Sequence, residues 1–238
     1  MLVNITSPNS NTPEERLARV FELAYECLRK KINSGRIRVE NEASLQLQFA
    51  AILKVVGELF EVEKDEFFSI ELEKTVTPVN GEKYGKSGSS KARIDIFFSY
   101  TNTSSKTMHS CAIEMKFFKK ENAREPNNRY DVFADLHNLE NYSHVANQCF
   151  MLVATDHNHY VSHPEYSETA RMFDFRNDKE YIAGTTLIYL PYKNAKLYGN
   201  PITLSNSYNF KWDTVTGGLH FLRIKKKKKM KMSDKSYV

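Results

Sequence analysis

At 238 residues, with 41% hydrophobic and 26% charged side chains, the chain has the size and composition of one globular domain. Its net charge of +5 rests on Lys225–Lys229 and Lys231; without those six, 28 basic residues face 29 acidic ones, a balance of −1, so the basic pI is no argument for nucleic acid. There is no run of 18 apolar residues, no secretory leader, and no CxxC around the isolated Cys27, Cys111 and Cys149. This speaks against a membrane span, a disulfide scaffold and a zinc knuckle, and for a cytoplasmic protein.

Two helices are expected first. Thr12-Pro13-Glu14-Glu15 combines an N-cap, a first-turn proline and two acids. Leu17, Val20, Phe21, Ala24 and Leu28 follow at helical spacing, up to Asn33–Gly35. Glu40–Phe60 carries a second stripe through Leu45, Phe49, Leu53 and Val56. Strands come next: Phe67–Val76, then Ala92–Tyr100 and Ser110–Phe118, the last two forming a hairpin across a polar turn. Arg129–Ser143 has helical spacing, and Gln148–Ala154 is an almost wholly apolar run suited to a strand buried on both faces. A helix over Pro164–Phe175 and strands at Thr185–Leu190, Tyr208–Trp212 and Leu219–Ile224 complete the order. The expected architecture is one α/β domain over 1–224, a mixed sheet flanked by helices on both faces, followed by a basic, disordered tail over 225–238.

The hairpin carries the chemistry. In Arg93-Ile94-Asp95-Ile96, strand alternation turns Asp95 away from Ile94 and Ile96; in Ile113-Glu114-Met115-Lys116-Phe117 it puts Glu114 and Lys116 on one face. Two carboxylates and an ammonium inside apolar strands are costly unless they pair or bind a metal. Two acids and a main-chain carbonyl, here that of Met115, suit a hard cation such as Mg²⁺, which activates water and neutralises charge on a phosphate; a lysine beside it assists the water or the transition state. The bland alternative is an Asp95–Lys116 cross-strand salt bridge with Glu114 at a solvated sheet edge.

In these residues the sequence resembles the PD-(D/E)xK nuclease superfamily, over roughly Glu40–Thr155. Asp95 matches the first acid and Glu114-Met115-Lys116 the ExK; Ile94 stands where the family has proline. The resemblance implies a restriction-endonuclease-like fold and a Mg²⁺-dependent endonuclease (Mn²⁺ may substitute) acting on DNA, double-stranded by expectation, in restriction or anti-phage defence, with a homodimer possible. It also implies an acid on the preceding helix, for which Glu42 is the candidate, with Gln46 one turn on. The set expected to hold the metal is Asp95, Glu114, the Met115 carbonyl and Glu42. Lys91, Arg93, Lys119, Lys120, Arg124 and Arg129, with Gln46, are the residues expected to touch nucleic acid. From another class, a non-catalytic nucleic-acid- or partner-binding module of the same fold fits the same pattern.

Three signals are set aside. Gly81–Ser87 is one residue short of a phosphate loop and no helix follows it. Asp156-His157-Asn158-His159 with His163 lacks the frame of an HNH site. The lysine run 225–231 adds at most salt-sensitive, non-specific affinity.

Overall fold

The computed structural model describes residues 12–77, 91–163, 168–191, 197–214 and 218–226. Helix α1 spans Pro13–Asn33 and α2 spans Glu42–Glu58. Both start in reciprocal capping boxes, Thr12 with Glu15 and Asn41 with Ser44, which satisfy main-chain donors that have no partner inside a helix. Strands β1 (Glu66–Val76), β2 (Ala92–Asn102) and β3 (Thr107–Phe118) follow, then α3 (Glu125–Asn141), β4 (Gln148–Thr155) and the single turn α4 (His159–Ser162).

Among the described residues the central sheet has six strands in the order β1-β2-β3-β4-β10-β9, where β9 is Trp212–Thr214 and β10 is His220–Lys225. Among the described residues only β3 and β4 run parallel, from Cys111 opposite Gln148 to Phe118 opposite Thr155, and α3 is their crossover. The sheet is therefore mixed, with helices on both faces. On one face α1 and α2 bury Leu17, Phe21, Leu45, Phe49 and Leu53 against Ile96, Phe98, Ile113, Met115 and Leu152. On the other, α3 and the C-terminal segments bury Phe133, Leu136 and Leu139 against Ala112, Met151, Val153 and Leu222. Every residue of β4 is buried, as the apolar run required.

The C-terminal third differs from expectation. Residues 164–167 lie outside the described set, and Glu168–Ala170 is a short 3-10 turn rather than part of a longer helix. Phe173 and Phe175, two apart, are both fully buried, a spacing that belongs to extended chain. The strand expected over Thr185–Leu190 is reduced to β6 (Thr186–Leu187), paired with β7 (Ile202–Thr203); β5 (Glu180–Tyr181) pairs with β8 (Tyr208–Asn209). The carboxylate of Glu140 fastens this region to α3, accepting from the Ser205 and Asn206 amides and from Tyr208 Oη at 2.6, 2.8 and 2.9 Å. The basic tail begins later than residue 225, because Lys225 pairs with Phe150 and Lys226 Nζ donates to the Glu140 carbonyl. The loop 80–90 and the lysines beyond 226 lie outside the described residues. Among the described residues, no helix is long and apolar enough to cross a membrane.

Candidate active site

The site lies where a sheet ladder stops. β2 and β3 pair from Asn102 opposite Thr107 to Ile96 opposite Ile113, and no further, although both strands continue. The alternation of β2 also breaks there: Ile94 packs on the α3 side and Ile96 on the α1–α2 side, so Asp95 does not simply oppose both neighbours. Main-chain groups freed by the lost ladder need other partners. Side chains supply them. Asp95 Oδ2 accepts from the Met115 amide at 2.5 Å, and Glu42 Oε2, from the first turn of α2, accepts from the Phe117 amide at 3.1 Å. Gln46 Nε2 donates to the Asp95 carbonyl at 2.6 Å and to Glu73 Oε1 at 3.1 Å. Glu73 stands in β1 with φ of 54°, a left-handed conformation unusual for this residue type.

Into this gap β3 sends Glu114 and Lys116, side by side on the α3 face. Glu114 is 4% exposed, and Tyr142 Oη donates to its Oε1 at 2.8 Å. Lys116 Nζ lies 2.7 Å from the Met115 carbonyl, 3.0 Å from Asp135 Oδ2 and 3.6 Å from Glu42 Oε1. Asp135, on α3 and 4% exposed, went unnoticed in the sequence; its spacing from Asp131, four residues earlier among apolar helix positions, was the available signal.

Four carboxylates thus surround one ammonium, and protonation responds. Burial, reinforced by the charges of Glu42 and Asp135, lifts Asp95 to about 6 against the pull of Lys116 and the Met115 amide. Burial, then the charges of Asp95 and Asp135, push Glu114 well above the usual carboxylate range. For Lys116 burial acts downward, but Asp135, Glu42, Asp95 and Glu114 outweigh it and hold the amine charged.

The basic residues divide. Arg129 differs from expectation: its side chain is fully buried, ion-paired with Glu125 and placed over the Tyr160 ring, so it offers no charge to a surface phosphate. Lys119 pairs with Glu121 at 2.7 Å, and exposed Arg93 lies 3.9 Å from Glu73. Lys91, Lys120 and Arg124 are exposed. His157, His159 and His163 gather around Tyr160 and Glu125, with His159 Nε2 3.2 Å from Glu125 Oε1.

No family model matches the chain, nor does any curated protein or solved structure.

The donor set suits a hard divalent cation: the carboxyl oxygens of Asp95 and Glu42, with the Met115 carbonyl at the same gap. Among the described residues, no group of three or more His, Cys, Asp or Glu side chains is placed to hold a metal ion together. Mg²⁺ does not demand one, since it binds through one or two carboxylates and keeps several waters.

Proposed function

We propose that this chain is a metal-dependent endonuclease of the PD-(D/E)xK type, with a restriction-endonuclease-like fold, hydrolysing DNA phosphodiester bonds. One observation carries the reading: where the β2–β3 ladder ends, Asp95, Glu114 and Lys116 meet with Glu42 beside them, four carboxyl groups counting Asp135 about a single ammonium. A structural ion pair would need one acid per base; here Lys116 has four acids around it.

Asp95, Glu114 and the Met115 carbonyl would hold Mg²⁺, with Glu42 in support. The ion supplies a water of lowered pKa and charge neutralisation at the phosphate. The chain's own residues do the rest. Gln46 fixes the Asp95 main chain, and the Met115 amide fixes its carboxylate. Lys116, held charged by Asp135, serves as a cation that orients a water or stabilises charge on a phosphate oxygen, not as a base. Exposed Lys91, Lys120 and Arg124 are suited to backbone phosphates.

The test is cleavage of supercoiled plasmid with Mg²⁺ or Mn²⁺, with and without chelator, by wild type, Asp95→Ala and Lys116→Ala. Cation-dependent cleavage absent from both variants supports the reading. Unchanged cleavage in the variants refutes the site, and absence of cleavage under every metal condition favours a binding module.

A further inference from the structure

Beside the gap runs a cleft of about 230 Å³ whose lining includes Glu42, Lys116, Phe118, Arg124, Asn128 and Asp131. Its depth is polar. Asn128 and Asp131, three apart on α3, are 7% and 8% exposed, yet both line it. Asn128 is oriented by the bond from its Nδ2 to Tyr160 Oη at 2.9 Å. The Tyr198 hydroxyl donates to the Asp131 carboxylate, lying 3.1 Å from Oδ1 and 3.3 Å from Oδ2, and Arg124 hydrogen-bonds the same phenol. A carboxylate and an amide carbonyl recessed in a cleft select a ligand bearing N–H or O–H donors. Arg124, exposed at the rim, suits an anion.

Resting on the nuclease reading, we infer that this cleft receives one unstacked nucleotide adjoining the scissile phosphate, with its base edge donating hydrogen bonds to Asp131 and Asn128 and a flanking phosphate on Arg124. The size decides against a duplex entering intact: the space is on the scale of about one nucleotide, and Asn128 and Asp131, both more than nine-tenths buried, would meet a base edge only once that base leaves the stack. The favoured substrate is therefore a strand with unpaired nucleotides, such as a single strand, bubble or flap. Base N–H groups and a ribose 2′-hydroxyl share this donor chemistry, and matched DNA and RNA strands separate the two.

The full-length protein is assayed with Mg²⁺ on a DNA bubble and on the matching perfect duplex, in wild type, Asp131→Asn and Tyr198→Phe. In parallel, 2-aminopurine within a single strand, as DNA and as RNA, reports binding with non-hydrolysing Ca²⁺. The expected result is bubble cleavage faster than duplex cleavage by about tenfold or more, the scale of one hydrogen bond to a charged group. That ratio falls in Asp131→Asn and, less, in Tyr198→Phe, which loses only a hydroxyl. Equal wild-type rates on both substrates, or a ratio that Asp131→Asn leaves unaltered, overturn the cleft's role while the nuclease reading stands. If no substrate is cut, the nuclease reading fails instead and the fluorescence decides: a 2-aminopurine response lost in Asp131→Asn supports the cleft, and no response overturns it. A response confined to RNA assigns the contact to the 2′-hydroxyl and overturns base-edge contact.

Discussion

Asp95, one residue beyond the last β2–β3 pair, takes with its Oδ2 the amide of Met115, two residues beyond that pair on β3, at 2.5 Å, so a carboxylate stands where the ladder would continue. A main-chain carbonyl in that place would serve the sheet equally well. The carboxylate adds charge in a buried setting, a cost to the fold that a function must explain.

That cost predicts the behaviour of Asp95→Asn. Because the carboxyl of the folded protein titrates at about 6, above its ordinary 3.8, ionisation opposes folding at every pH above both values and not below them. In metal-free buffer Asp95→Asn is expected to be more stable than wild type at pH 7.5, by an amount on the order of 2–3 kcal/mol. The advantage shrinks as pH falls from about 6 towards 4. Urea denaturation at both pH values measures it; an equal or negative difference at pH 7.5 contradicts the account.

Divalent cations should act on the same term in the opposite direction. Millimolar Mg²⁺ is expected to raise the Tm of wild type, and chelator to reverse it, because a ligand that binds only the folded state stabilises it. The rise should be absent from Asp95→Asn combined with Glu114→Gln. Differential scanning fluorimetry reads both.

Lys116→Met tests the other sign. It leaves buried Asp135 and Glu114 without their nearby cation. Removing one partner of a buried pair costs about 3–5 kcal/mol. Metal-free Lys116→Met should therefore unfold at markedly lower urea, and Asp135→Asn on the Lys116→Met background should recover part of the loss. No recovery would mean that Asp135 does not depend on the lysine.

The tie between α1 and β1 gives a prediction away from the site. Arg16 Nη1 and Nη2 each lie 2.6 Å from a Glu66 oxygen, and the guanidinium sits over Tyr100. Burial acts upward on the Glu66 pKa, but the Arg16 bonds outweigh it and the value falls below 4.5. This stabilisation is present above pH 4.5 and fades as pH drops through the lowered value. Arg16→Met should cost about 3–5 kcal/mol at pH 7, with the gap to wild type narrowing in acid. A gap independent of pH would assign the loss to packing alone.

What the sequence disclosed follows from the range of the forces involved. Caps, helical stripes and the alternation around Glu114 and Lys116 are local, so α1, α2, the hairpin and β4 could be read within a few residues. Asp135 could not, since α3 buries polar and apolar residues together and periodicity does not say which acid meets the sheet. The role of Arg129 is hidden for a related reason: its partner Glu125, four residues earlier, decides its fate, not the lysines before it. The C-terminal strands are two or three residues long and pair across long separations, as β5 does with β8, leaving no period to detect. Glu42 and Gln46 were placed by analogy, and their contacts to Phe117 and Asp95 depend on how α2 docks on the sheet.

The claim on which the rest stands is that the gap between Asp95 and Glu114 seats a divalent cation. Titration of the metal-free protein with Mn²⁺, followed by loss of the free-ion electron paramagnetic resonance signal, measures it directly. The account predicts one saturable site per chain that disappears in Asp95→Ala. Binding that is undiminished in that variant, or no saturable binding in wild type, would contradict it.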